Sequence, residues 1–170
     1  MDADQDASEA TMSEPSIKAA AGKYLTFALA HEEYGVPVLK VREIIKMMDI
    51  TAVPQVPPHV KGVINLRGKV IPIVDLRLKF GVPSDAYTDR TCIIVSEVER
   101  AGLRTPLGMV VDSVCEVLSI SADDIEAMPE MGRSVDTGYM HGIAKVKGSV
   151  KLLLDLDKLL SAESLLERAA

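Results

Sequence analysis

Gly62-Val-Ile-Asn-Leu-Arg-Gly-Lys-Val-Ile-Pro-Ile-Val-Asp-Leu76 returns 80 positions later as Gly142-Ile-Ala-Lys-Val-Lys-Gly-Ser-Val-Lys-Leu-Leu-Leu-Asp-Leu156. Gly62, Gly68, Val70, Asp75 and Leu76 recur as the same residue, and Arg67 recurs as the basic Lys147. A second pair of blocks, Tyr34 to Ile45 and Leu107 to Leu118, aligns Gly35 with Gly108, Val41 with Val114 and Glu43 with Glu116, at a spacing of 73. Self-similarity at a fixed offset is a fold-level signal. Loops tolerate length changes cheaply, so the two offsets fit one duplication with drifting loops. Two copies are too few for a solenoid, and the chain reads as one supersecondary unit used twice.

Working outward, Val60 to Val74 is the clearest hairpin, with Gly68 supplying the positive φ that a tight turn demands. Asp75 is positioned to cap a short helix, Leu76 to Phe80, which Gly81 ends. Gly142 to Leu154 repeats the hairpin and Asp155 the cap. The helix from Leu156 to Arg168 carries Leu156, Leu159, Leu160 and Leu166 on roughly one side. Tyr24 to Leu29 and Tyr34 to Leu39 read as an earlier hairpin, in which Pro37 must lie at an edge or a bulge because it cannot donate to a ladder. Val41 to Lys46 suits a helical turn as well as a strand. Thr51 to Pro58 is a proline-stiffened connector. Thr91 to Val98 and Leu107 to Leu118 are the next strands, and Ser121-Ala-Asp-Asp124 has the pattern of a capping box opening a helix of one or two turns. Short strands with glycine turns indicate a mainly β fold of two small barrels, each of about five strands.

The chain has 170 residues, no Trp and two Phe, so its core must be aliphatic. The net charge is −6, of which −4 lies in residues 1–22. Residues 1–21 hold little to bury and read as a disordered acidic tail. A nucleic-acid partner is not expected, because that requires clustered cations. No apolar run approaches the roughly 20 residues of a membrane span, and no secretory signal is visible. A cytoplasmic protein is the default expectation.

Catalytic motifs are missing: no GxGxxG, Walker A, GxSxG, HExxH or EF-hand loop occurs. Neither a cofactor nor a metal is expected. His31, His59 and His141 are isolated at predicted turns. Cys92 and Cys115 lack CxxC spacing and read as buried structural thiols. A hydrolase or redox enzyme using either cysteine, or Cys92 with His141, is the competing class, and a thiol in an apolar run is hard to ionise. Asp75 and Asp155 are explained together as caps. Arg67 stands apart. A cation at a hairpin tip is ordinarily just solvated, but Asn65-Leu66-Arg67-Gly68 puts an apolar side chain and a forked cation on one exposed corner, and Arg is enriched at interface hot spots.

Tyr24-Leu-Thr-Phe27, Glu33-Tyr-Gly-Val36, Val38-Leu-Lys-Val-Arg-Glu-Ile44 and above all Lys61 to Phe80 closely resemble the CheW family, the coupling proteins of bacterial chemotaxis. The likeness runs in family order from about Lys23 to Leu160. It implies a CheW-like domain over 22–165, with two SH3-like barrel subdomains of roughly 22–88 and 89–165 between which strands are free to exchange. It also implies a non-enzymatic scaffold joining the cytoplasmic tips of transmembrane chemoreceptors to the regulatory domain of the histidine kinase CheA. Contacts with further copies of the adaptor are a third kind of partner. Family alignment puts Val41, Glu43, Ile44, Gly62, Asn65, Leu66, Arg67 and Gly68 where the receptor is contacted or the contact supported. The kinase-facing residues are not assigned. Pro37, the long turn from Glu99 to Pro106 and the acidic tail depart from the usual pattern and bear on partner subtype.

Overall fold

Each of the two repeated hairpins turns on a pair of residues with positive φ, Arg67 (52°) with Gly68 (86°) and Lys147 (55°) with Gly148 (79°). Two left-handed residues in succession give the backbone twist that matches paired strands. In this computed structural model, which describes residues 21–82, 86–100, 102–127 and 139–161, those hairpins are β4 (Val60–Leu66) with β5 (Lys69–Asp75), and β10 (Met140–Val146) with β11 (Ser149–Leu154). The remaining strands are β1 (Gly22–Leu29), β2 (Glu32–Pro37), β3 (Val41–Lys46), β6 (Cys92–Arg100), β7 (Leu103–Val111), β8 (Ser113–Ile120) and β9 (Ile125–Glu126). Two short helices, α1 (Leu76–Lys79) and α2 (Leu156–Ser161), follow the repeated hairpins. The acidic tail and Leu166 lie outside the described residues.

The strands sort into two sheets of matching order. The first runs β8-β1-β2-β11-β10-β9 and the second β3-β6-β7-β5-β4. Superposing the orders pairs β1 and β2 with β6 and β7, β8 with β3, and the two repeated hairpins with each other. Among the described residues, the sole parallel pairing of each sheet lies at the same place, Leu153 beside Gly35 in one and Ile73 beside Gly108 in the other. These are the glycines that the second repeat aligns. A Cβ on Gly108 would stand 2.5 Å from Ile73 Cδ1, and one on Gly35 would stand 3.2 Å from Leu153 Cδ2. The missing side chain is therefore what lets the parallel neighbour pack. Each half of the chain gives its first hairpin to one sheet and its last strands to the other, so strands from both sides of residue 88 share each sheet.

The β class holds, with three differences of detail. The first sheet has six strands rather than five, and neither ladder closes into a complete barrel. In the second sheet the segment that follows β3 nevertheless reaches the far edge, β4, through an isolated bridge between Thr51 and Val63. Leu107 to Leu118 is not one strand: it changes sheets at Asp112, whose N–H donates to Ala28 O at 3.0 Å. The capping-box segment makes a single 3-10 turn, Ala122–Asp124, in which Ser121 Oγ meets the Asp124 carboxylate at 3.1 Å instead of capping a backbone N–H. Val41 to Lys46 is a strand, because its alternating burial puts Ile45 inside and Ile44 outside. Pro37 ends β2 two residues past the last parallel rung at Gly35, where no N–H is required.

Three apolar clusters stack through the molecule. Tyr24, Leu118, Ile125 and Leu153 fill the first sheet's interior, and Ile64, Ile71, Ile93 and Val110 fill the second's. The largest cluster lies between the sheets, where Phe27, Leu29 and Val36 meet Val74, Met109 and Val111 under the helix leucines Leu76, Leu156, Leu159 and Leu160. Burying each such side chain stabilises by roughly 1.5–3 kcal/mol, so this interface binds the sheets as firmly as their own interiors do. A column of stacked rings, Phe27, Tyr34, Phe80 and Tyr139, spans it at centroid separations of 5.9, 5.6 and 5.5 Å.

Candidate functional site

The corner made by β3 and the tip of the β4–β5 hairpin gathers most of the expected residues. Arg67 projects from the tip, its side chain 69 % exposed, and its guanidinium pairs with the Glu43 carboxylate on β3. β3 and β4 are opposite edges of one sheet, so this ion pair bridges the seam where the sheet curls upon itself. Asn65 Oδ1 accepts from Gly68 N–H at 2.9 Å, fixing the turn that carries Arg67. Arg67 itself holds a backbone conformation uncommon for a residue with a side chain.

Gly62 works behind this surface. Its φ is 139°, and a Cβ there would lie 1.9 Å from the Thr51 carbonyl oxygen. The Thr51–Val63 bridge, with Thr51 N–H donating to Val63 O at 2.8 Å and Val63 N–H to Thr51 O at 2.9 Å, depends on that approach. Gly142 has a φ of 152°, and both residues sit at a register shift in their hairpins. Leu66 packs half-buried against the second sheet's interior.

Val41 and Ile44 face opposite ways. Val41 packs against the core between the sheets, whereas Ile44 faces outward, 44 % exposed. Three neighbours escaped the sequence reading. Val70 is 66 % exposed beside the tip, Leu39 is 97 % exposed in the 3-10 turn Val38–Lys40 that leads into β3, and Arg42 pairs with Glu97 at 2.5 Å. Val70 was signalled by the repeat, since it recurs as Val150, which is also exposed.

The groups expected to serve as caps do so. Asp75 accepts from Arg77 N–H at 3.0 Å and Asp155 from Lys158 N–H at 3.1 Å. Cys115 is exposed, which corrects the reading of both cysteines as buried: within β8 its side chain falls on the outer face, and Cys92 is half-buried. Burial raises both thiol pKa values, with Glu33 adding to the rise at Cys115 and a backbone hydrogen bond with Val114 opposing it at Cys92. An activated nucleophile needs the opposite shift. Cys92 in β6 and His141 in β10 stand in different sheets. Among the described residues, no group of three or more His, Cys, Asp or Glu is arranged to hold a metal, and no helix is long and apolar enough to cross a membrane.

Residues 23–164 match the family model of the CheW-like domain. The chain belongs to the CheW family. It is 38 % identical over 156 residues to the chemotaxis protein CheW of Klebsiella aerogenes, covering 92 % of each chain. It is 34 % identical to the chemotaxis protein CheW of Bacillus subtilis, covering 84 % of this chain and 88 % of that one. Its fold matches the crystal structure of the scaffolding protein TtCheW from Thermoanaerobacter tengcongensis with a TM-score of 0.72 and 34 % identity, over 84 % of this chain and 97 % of that one. The two open-edged sheets described above are thus a CheW-family architecture, and the relatives are named for chemotaxis and scaffolding.

Proposed function

We propose that this CheW-family chain is a non-enzymatic adaptor that couples transmembrane chemoreceptors to the histidine kinase CheA, acting in the cytoplasm at the inner face of the membrane through receptor arrays. The two sheets, each with its own interior, are its two subdomains. The corner of Glu43, Ile44, Asn65, Leu66, Arg67 and Gly68 reads the receptor tip, Gly62 holds the corner in shape, and Val41 supports it from within. The observation that carries this reading is the Arg67–Glu43 pair at an exposed seam beside an outward apolar side chain. An amphipathic helical hairpin offers both an apolar stripe and charges to such a surface, and opposite charges fix its register. The CheA regulatory domain and further copies of the adaptor bind elsewhere, at outer faces of the subdomains.

Titration of the purified protein against a receptor cytoplasmic fragment and a CheA regulatory domain, separately and together, tests the reading. Binding to each alone and a ternary complex with both is the expected result. Binding to the kinase domain with none to any receptor fragment would remove the receptor half of the proposal.

A further inference from the structure

The two crossovers, where the chain leaves one sheet for the other, are fastened by related latches of reversed charge. At the β7–β8 crossover, Asp112 accepts from Arg77 Nη1 of α1 at 3.2 Å and from Ala30 N–H, in the β1–β2 turn, at 2.7 Å. At the β2–β3 crossover, Lys40 pairs with Asp157 of α2 at 2.7 Å, and Asp157 accepts from Glu99 N–H, near the β6–β7 turn, at 3.0 Å. Arg77 and Asp157 occupy equivalent helix positions, two residues after the capping aspartate. One latch therefore places its cation on the helix, and the other places its cation on the crossover.

Their surroundings differ. The Arg77 side chain is 4 % exposed, although its partner Asp112 is 30 % exposed, and Asp75 holds it through two further bonds, from Nε at 3.1 Å and Nη2 at 3.0 Å. Lys40 and Asp157 are each 32 % exposed. The first crossover is the single residue Asp112 between paired strands, whereas the second is a three-residue turn with no fully buried member. Beyond that turn the β3–β6 ladder is already irregular, with a register shift between Val41 and Glu43. Ser96, which faces Val41, has a buried hydroxyl without a hydrogen-bond partner among the described residues. Exposed ion pairs yield readily to water and salt, and segments that bury little open locally.

From these observations we infer that Val38–Lys40, with the Lys40–Asp157 pair as its clasp, is a joint at which the start of β3 detaches from the α2 side while the Arg77 latch stays shut. β3 carries Glu43 and Ile44, so the joint lies directly ahead of the strand that bears that corner. The joint depends on the clasp and its burial, whatever partner β3 meets.

Amide hydrogen exchange on the full chain tests the joint. The Glu99 amide, corrected for intrinsic rate, exchanges at least about tenfold faster than the Ala30 amide. Raising NaCl from about 0.05 M to about 1 M speeds Glu99 by about threefold and leaves Ala30 unchanged, since screening at the higher salt reaches within the pair. Asp157→Ala speeds Glu99 further without moving Ala30. Lys40→Met, which keeps the Asp157 carboxylate, speeds the Val41 amide, which donates to Val38 O. The double variant Lys40→Asp with Asp157→Arg reproduces the charge order of the other latch and returns the Val41 amide to its wild-type rate, while Glu99, whose acceptor is gone, stays fast. Equal protection of Glu99 and Ala30 in the wild type, or a joint rise of the two in either single variant, would mean that opening is global and would overturn the proposal.

Discussion

The two hairpin tips share a backbone and differ in chemistry. Both turn on a basic residue and a glycine of positive φ, and both lean a cation toward the equivalent glutamate: Arg67 toward Glu43, and Lys147 toward Glu116 at 3.6 Å. An outward β-branched side chain follows each glutamate, Ile44 in one copy and Val117 in the other. The first tip has a planar fork and an Asn65 amide bracing its turn, while the second has a point charge, a Ser149 hydroxyl donating to Val146 O at 3.1 Å, and Lys145 engaged with Glu126. Arg and Lys are not equivalent where a carboxylate must be met in two places. The duplication conserved how the corner is built, and the copies diverged in what the corner can grip.

The largest expected effect tests whether the latches differ as their burial says. Arg77→Ala leaves the buried Asp75 without its cation and costs about 3–5 kcal/mol of unfolding free energy, whereas Asp157→Ala costs no more than about 1 kcal/mol. Urea denaturation of both variants measures this, and similar losses would erase the distinction. Next, Gly62→Ala forces a Cβ into the Thr51 carbonyl and costs about 3 kcal/mol or more, while Gly68→Ala meets open space and carries only the strain of its φ, about 1 kcal/mol. Thermal melts should separate the two.

A smaller effect separates the tips themselves. Arg67→Ala leaves the melting temperature near wild type and weakens binding to a receptor fragment by at least about 1 kcal/mol, while Lys147→Ala leaves that binding unchanged. Calorimetric titration giving equal losses at both tips would break the assignment of the receptor to the first copy. Smallest is a pH effect at His141, which stands where the first copy has Lys61. Burial, with Lys158 adding, pushes the imidazole pKa down against the pull of Asp155 and Asp157. A histidine whose pKa falls on folding favours the folded state above its ordinary pKa, near 6.5, and that contribution is lost as the pH drops below it. His141→Gln should therefore flatten the fall in stability between about pH 7.5 and about pH 5.5.

The local units were legible in the sequence because each is fixed by nearby residues. Glycine turns, alternation and the Asp75 cap all signal within a few positions. Which sheet a hairpin joins depends on contacts far along the chain, and the Val-rich run through Asp112 offers no break at which to cut it. The same run hid the exposure of Cys115, since strand period alone puts it on one face without saying which face is covered. Arg77 and Lys151 are charged and nonetheless buried: Arg77 is held by Asp75 two residues before it and by Asp112 from across the fold, and Lys151 by the part-exposed Glu33 at 2.5 Å, a partner far off in sequence. Of the candidate site, Arg67 and Glu43 were placed by motif, but their pairing across the seam needed the curl of the sheet. The positive φ of Arg67 was concealed by a neighbouring glycine that explained the turn by itself.

The sharing of strands between sheets also sets an order on biosynthesis. When the ribosome has finished β5, the growing chain holds five strands that belong to two sheets: β1 and β2 are neighbours in one, while β3 is cut off from β4 and β5 in the other. β3 waits for β6, β5 waits for β7, and β1 waits for β8. At roughly 5–20 residues per second, the first half carries unpaired edges and bare Val and Ile for several seconds before its complement emerges. A stalled or truncated chain is thus not half an adaptor. It is two incomplete sheets whose missing strands another nascent chain of the same sequence is able to supply.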